Sequence, residues 1–399
     1  MGVGAPSSYM AYPGSQKWGK DMDVQPMTDR ERILAVIEGR LPDQIPWIPR
    51  MQIWYDAHVQ RGDLPTRYDG WDLRRIEQDL GMGTPARDGR VFRTELEGVD
   101  VRTEQTGNDI VTTYTTSKGS VFTVHRQSKT LSEGGIAGGL VVKHMITGPE
   151  DYAVVEEIIR RTRIIPTYAD YLAYDAQVGD AGLPLVAMGP DPMYRIIQDL
   201  IGYNNVFFHL HDDRAQVMHL YHVLEEQALE IQRVVLDSPA SLILHGEHFD
   251  SQFTPPRLFR TTMLPYFQAF ADRLHARGKV LVCHADADTS RLLELIKEAG
   301  FDMAECFVTA PMVPVTLAEA RAAFGDQVII WGGVPSSILC DPVTDAAFES
   351  YIRDLFHIIA PGYAFILGVA DNVMAEAKLD RIKQISEMVA TLGRCPISG

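Results

Sequence analysis

The sequence predicts an α/β fold, a TIM-type (β/α)8 barrel with an antiparallel β-meander inserted near the N-terminus. Three observations carry this. From about residue 180 onward, short apolar runs alternate with amphipathic stretches at least six times, the rhythm of strand–helix repeats in a parallel sheet. These runs end in glycine or polar residues near 189, 247, 284, 305, 332 and 371, as expected where strand ends gather at one mouth. Between 91 and 127 the chain turns to Val- and Thr-rich alternation split by turn residues, the mark of antiparallel strands. The alternative, a doubly wound sheet, lacks support because no Gly-x-Gly-x-x-Gly follows a strand.

Residues 1–27, rich in Gly, Pro, Ser and Lys, are expected to be a flexible tail or an arm lying on a second subunit of a homodimer. The barrel domain is expected over 28–399. It opens on a capping box, with Thr28 as N-cap and Glu31 three residues on. Ile33, Leu34 and Ile37 make the buried stripe of that helix and Gly39 ends it. Prolines bracket 45–48, which suits a short first barrel strand. The meander reads VDVRTEQ, DIVTTYTT and SVFTVHRQ, with turns around Gly107 and Gly119, and is expected to cover one face. Helices follow at 152–163, 193–203, 214–236 and 256–277, with strands at 183–188 and 241–245. The unit 279–311 is strand, helix and strand, its two apolar runs ending at His284-Ala285-Asp286 and Glu305-Cys306. Helices at 317–324, 344–359 and 376–392 and strands at 328–331 and 363–367 complete the repeat.

A formal charge of −16 over 399 residues speaks against a nucleic-acid partner, since nothing would replace the counterions on phosphate. No apolar run approaches the roughly 20 residues that cross a bilayer, and the first residues lack the apolar core of a secretory signal. The four cysteines form no CxxC pair and no disulfide framework, so a reduced, cytoplasmic setting is expected.

At the expected mouth, Glu247, His248, His284, Asp286, Glu305, Cys306 and Asp371 converge. A set of His, Cys and carboxylate suits Zn²⁺. The plainer alternative makes Cys306 a buried apolar residue and leaves His284 and Asp286 to bind substrate. Because neighbours on a strand face opposite sides, one of Glu247 and His248 is expected to look inward, and Glu247 is favoured. Arg50, Trp54 and Tyr55 follow the first strand and are expected to face substrate, or else to form an aromatic packing cluster. Residues 56–62 approach the Asp-x-His-x-x-Gly corrinoid motif, but Gly62 falls one position late and His58 reads as a residue on a helix face.

From Thr28 onward the chain resembles the uroporphyrinogen decarboxylase superfamily. The carriers are Arg30 to Val36 with the Pro42–Pro46 stretch, Gly246-Glu247-His248-Phe249-Asp250-Ser251-Gln252, Gly278-Lys279 leading to His284-Ala285-Asp286, Phe301-Asp302-Met303-Ala304-Glu305, Gly332-Gly333 and Asp371-Asn372-Val373. That superfamily includes the decarboxylase itself and zinc-dependent methyltransferases that work with corrinoid proteins. Such methyltransferases carry His-x-Cys where this chain has His284-Ala285-Asp286, and a cysteine where it has Val369-Ala370-Asp371. The resemblance therefore implies a substitute zinc set of His284, Cys306 and Glu247. Asp286, Glu305 and Asp371 would then give a proton or orient a ligand, and Arg50, Trp54, Tyr55 and His248 would contact substrate. The reaction implied is methyl transfer from a small methoxylated or methylated compound to cobalamin on a separate corrinoid protein. The alternative implied is a metal-free decarboxylase of the uroporphyrinogen type.

Overall fold

The computed structural model describes residues 26–136 and 138–398, so residues 1–25 of the expected tail lie outside the described residues. The inserted strands come first: β1 (Phe92–Leu96), β2 (Asp100–Thr106), β3 (Asp109–Thr116), β4 (Gly119–Arg126), β5 (Leu140–Lys143) and β6 (Thr162–Pro166). β2, β3, β4 and β5 form an antiparallel sheet in that order. The expected three-strand meander thus gains a fourth strand. β1 leaves it to pair with β6 in a sheet of two, Phe92 opposite Pro166. The helix expected over 152–163 instead spans Asp151–Arg160, and the next residues turn into β6.

β7 (Leu185–Ala187), β8 (Leu242–Leu244), β9 (Val280–His284), β10 (Met303–Phe307), β11 (Ile329–Val334) and β12 (Phe365–Val369) form a parallel sheet in sequence order. Two irregular segments close it into a barrel. Segment 46–48 pairs with β12 through a parallel Trp47–Leu367 bridge, and the Ile48 N–H donates to the Leu367 carbonyl at 2.8 Å. Segment 82–89 fills the remaining gap. Its Gly83 N–H donates to Trp47 at 3.0 Å, Leu185 donates to Ala86 at 2.9 Å, and Gly89 bridges Val186 in parallel. This eighth stave carries Gly, Pro and Arg where β7 to β12 carry mostly apolar runs, so periodicity does not reveal it.

Side-chain alternation divides the sheet into two faces. Leu242, Leu244, Val280, Val282, Met303, Trp331 and Ile366 fill the barrel, and helix Asp29–Ile37 plugs its lower end with Ile33 and Val36. Thr28 and Glu31 make the expected capping box. Ile243, Leu281, Cys283, Ala304 and Ile330 face the surrounding helices. The two helices after β7 and β8 each contain a π turn, at Ile196–Leu200 and Phe259–Met263. No helix among the described residues is long and apolar enough to cross a membrane.

Candidate active site

His284 and Glu305 end adjacent strands in register, β9 against β10, and share the parity of Val282 and Met303. Both therefore point into the upper end of the barrel. His284 Nδ1 lies 2.7 Å from Glu305 Oε2. Glu305 is in turn ion-paired with Arg87, which enters from the eighth stave. On the other side of the ring, His284 Nε2 lies 3.3 Å from Asp286 Oδ2 and 3.7 Å from Asp371 Oδ1. His248 Nδ1 is 2.8 Å from both Asp286 oxygens, and its ring stands edge-on to that of His284 at 5.1 Å. Arg50 pairs with Asp371 at 3.1 Å. The result is an alternating chain, Arg87, Glu305, His284, Asp286, His248, buried at its inner end and open at His248.

Local backbone features aim these groups. β10 bulges between Glu305 and Phe307, and Cys306 adopts φ 56°. The bulge breaks strict alternation, so neighbours Glu305 and Cys306 both reach the mouth. His248 (φ 51°), Asp371 (φ 53°) and Ala86 (φ 46°) are also left-handed, which with Cys306 makes four of the five such non-glycine residues among those described. The Cys306 sulfur lies 3.0 Å from Glu305 Oε1 and 3.2 Å from the Asp371 carbonyl oxygen, two acceptors for its one S–H, while the Asp371 N–H donates to the Cys306 carbonyl at 3.3 Å.

The electrostatics follow from burial and pairing. Burial opposes a charge on His284, but the surrounding anionic groups outweigh it and hold the ring's pKa well above its usual value. Burial likewise works against the Glu305 and Asp286 carboxylates. Arg87 and His284 nevertheless hold Glu305 low, and His248 and His284 hold Asp286 low. Burial, reinforced by Glu305, pushes the Cys306 thiol up to about 11. With that thiol protonated at neutral pH, the anions facing His284 are Glu305, Asp286 and Asp371.

The set of residues expected at the mouth is thus partly assembled. His284, Asp286, Glu305, Cys306, Asp371, His248 and Arg50 meet. Two groups have ligand atoms within 4.8 Å of one another: His248, His284 and Asp286, and His284, Glu305 and Cys306. Glu247 belongs to neither. β8 ends at Leu244, so strand alternation no longer applies at 247–248. There the left-handed turn at His248 brings the imidazole, in place of Glu247, to Asp286. Burial raises the pKa of Glu247, which stays within the field of His248, His284 and Arg87. Trp54 and Tyr55 are also corrected. Both sit on helix Gln52–Arg61, where Trp54 is buried in the outer core against His58 and the Tyr55 hydroxyl donates to the Trp71 carbonyl at 3.0 Å. His58 is itself held by Asp63 at 2.7 Å. Arg87 is a member of the cluster that the sequence does not bring forward. Its only signal is an arginine beside Pro85 and Gly89, which becomes meaningful once that segment is recognised as a stave.

The donor chemistry can be tested against zinc, which takes N, O and S ligands and in catalytic sites keeps one position open. His284, Glu305 and Cys306 are all buried, and Glu305 is already committed to Arg87 and His284. The His248, His284 and Asp286 group fits better. Side-chain exposures of 38% for His248 and 15% for Asp286 leave room for a further ligand. Glu305 on His284 Nδ1 is the outer partner that metal-binding histidines have, turning Nε2 toward the opening.

A parallel eight-stave barrel with ionisable groups at the carboxyl ends of its strands defines an enzyme-like mouth. The sequence matches the family model for uroporphyrinogen decarboxylase (URO-D) over residues 192–392, half of the chain, and the chain belongs to that family. Among solved structures it is similar to a methyltransferase from Methanosarcina mazei, with a TM-score of 0.54 and 14% identity over 91% of this chain and 98% of that one. That likeness supports the fold. A dipeptide epimerase from Methylococcus capsulatus, complexed with Mg ion, aligns over 74% of this chain and 80% of its own at 14% identity, but with a TM-score of only 0.24. No curated protein matches the sequence.

Proposed function

We propose that this member of the URO-D family is a methyltransferase, taking a methyl group from a small methoxylated or methylated compound and passing it to the cobalt of a separate corrinoid protein. The observation that carries the reading is the orientation of His284. Glu305 holds Nδ1, and Nε2 faces Asp286, Asp371 and the opening. His248, His284 and Asp286 would hold zinc, replacing the set of His284, Cys306 and Glu247 expected from sequence. Bound there, zinc would supply Lewis acidity to the oxygen that loses its methyl group. Glu305 fixes the imidazole tautomer, and Arg87 keeps Glu305 ionised. Asp371, tethered by Arg50, stands at the same ring nitrogen and is the carboxylate placed to orient the substrate. Cys306 ties the ends of β10 and β12 together.

The chain purified with zinc available is expected to carry the metal in equimolar amount by elemental analysis, and to methylate reduced cobalamin from a methoxylated donor. His284→Ala and Asp286→Asn should lose both properties. Zinc content unchanged in His284→Ala would sink the ligand assignment. One observation favours a second reading. His284, held as a cation among carboxylates, is also a proton donor suited to a metal-free decarboxylase. In that reading Arg50 and Arg87 would meet substrate carboxylates, yet both are already paired, with Asp371 and Glu305. Turnover of a porphyrinogen by metal-stripped protein would favour it.

A further inference from the structure

A second cavity, of about 420 Å³, lies beside the mouth, between β1, the loop after β7 and helix Arg214–Asp237. Its volume falls within the range of small-molecule sites. None of the groups in the His284 cluster lines it. One wall is apolar, with Phe92, Leu224 and Ile231. The other end carries Arg195.

Arg195 is unusual in its surroundings. It donates from Nη1 to Gln227 Oε1 at 2.6 Å, its one side-chain hydrogen bond among the described residues. No carboxylate among those residues lies within 4.0 Å of its nitrogens. Asp199 lines the same cavity beyond that distance. Gln227 is itself oriented, because its amide donates to the Ile159 carbonyl at 3.1 Å. A guanidinium has five N–H donors in a planar fork, and on half-buried Arg195 those that Gln227 leaves unmet border the cavity. Burial pushes the Arg195 pKa down, against the opposing pull of the Asp199 carboxylate. The side chain is set by its place in the chain. It closes helix Pro192–Arg195, which Asp191 caps at 3.1 Å, just where the backbone enters the π turn Ile196–Leu200. Such π turns recur at functional sites.

We propose that this cavity is a ligand site for a small amphipathic carboxylate, its head paired with the Arg195 fork and its apolar body lying on Phe92, Leu224 and Ile231. A carboxylate matches the fork through two parallel N–H···O bonds, which a single amide oxygen cannot provide. The proposal stands apart from methyl transfer and does not need it.

Titration calorimetry on the full chain tests it, with hexanoate as the probe and hexanamide as its uncharged control. Hexanoate should give saturable binding, weakened at least about tenfold, or about 1.4 kcal/mol, in hexanamide and in Arg195→Met. Thr94→Trp, at an exposed position on the cavity rim, should block binding without touching the core. Equal binding of hexanoate and hexanamide, no saturable heat, or full binding by Thr94→Trp would overturn the proposal. The Thr94 variant and the amide control decide the matter if Arg195→Met fails to fold.

Discussion

At the mouth, the left-handed backbones of His248, Cys306 and Asp371 cost about 1–3 kcal/mol each, and they persist because hydrogen bonds and ion pairs on both sides hold them. A different residue shows how burial alone sets a pH dependence. Glu77, on helix Leu73–Asp79 beneath the eighth stave, is 2% exposed, and its Oε2 has no hydrogen-bond partner among the described residues. Burial raises its pKa from 4.5 to about 8. Below pH 4.5 folded and unfolded chains both hold the proton, and Glu77 contributes no pH dependence. Between 4.5 and about 8 the unfolded chain releases a proton that the folded chain keeps, so stability falls as pH rises. The cost levels off above about 8, at about 2–5 kcal/mol by the energy of a pKa shift. Glu77→Gln removes that slope. Its urea midpoint should therefore gain on wild type between about pH 5 and about pH 8, and parallel midpoints across that range would contradict the account.

Among the strands, the bulge in β10 depends on a glycine in its neighbour. Gly332 of β11 has φ 152°, and a Cβ there would lie 2.6 Å from both the N and O atoms of Phe307. That close approach lets β11 pair on both sides of the bulge, and so lets Glu305 and Cys306 reach the mouth together. Gly332→Ala should lower stability by about 1–3 kcal/mol, the usual cost of strain at such a position, seen as a reduced melting temperature. It should also reduce activity, because the bulged backbone at Cys306, directly after Glu305, must shift. A variant as stable as wild type would mean that the strand pair can relax. Elements differed in legibility for the same reason. β8 to β12 announced themselves as short, mostly apolar runs, and the capped first helix by Thr28 and Glu31. β6 and the 82–89 stave did not, the first because it directly continues a helical pattern and the second because it has no apolar run.

Closure of the barrel as a whole is what completes the site. The stave at 82–89 joins 46–48 to β7 and delivers Arg87 across the mouth to Glu305 of β10. Glu305 is 1% exposed, so removing Arg87 leaves its buried charge with His284 as its one remaining charged partner among the described residues. Arg87→Met should then cost about 3–5 kcal/mol. Adding Glu305→Gln should recover much of this stability while leaving activity low, since His284 would lose the carboxylate that orients it. Denaturant unfolding of the two single variants and the double variant measures the coupling. Additive losses would show that the pair does not bear on stability.

The barrel fold, the three-strand core of the antiparallel insertion and most of the cluster around His284 are legible along the chain, because apolar periodicity and strand-end chemistry are local and repeat. Asp286, Glu305, Cys306 and Asp371 came forward on the same grounds. Folding alone brings Arg87 to join them, puts His248 in place of Glu247 beside Asp286, turns Trp54 into the core and leaves Tyr55 half-buried against it. Each of those outcomes depends on a left-handed turn, a bulge or a pairing between residues far apart in sequence, and no spacing along the chain encodes such contacts.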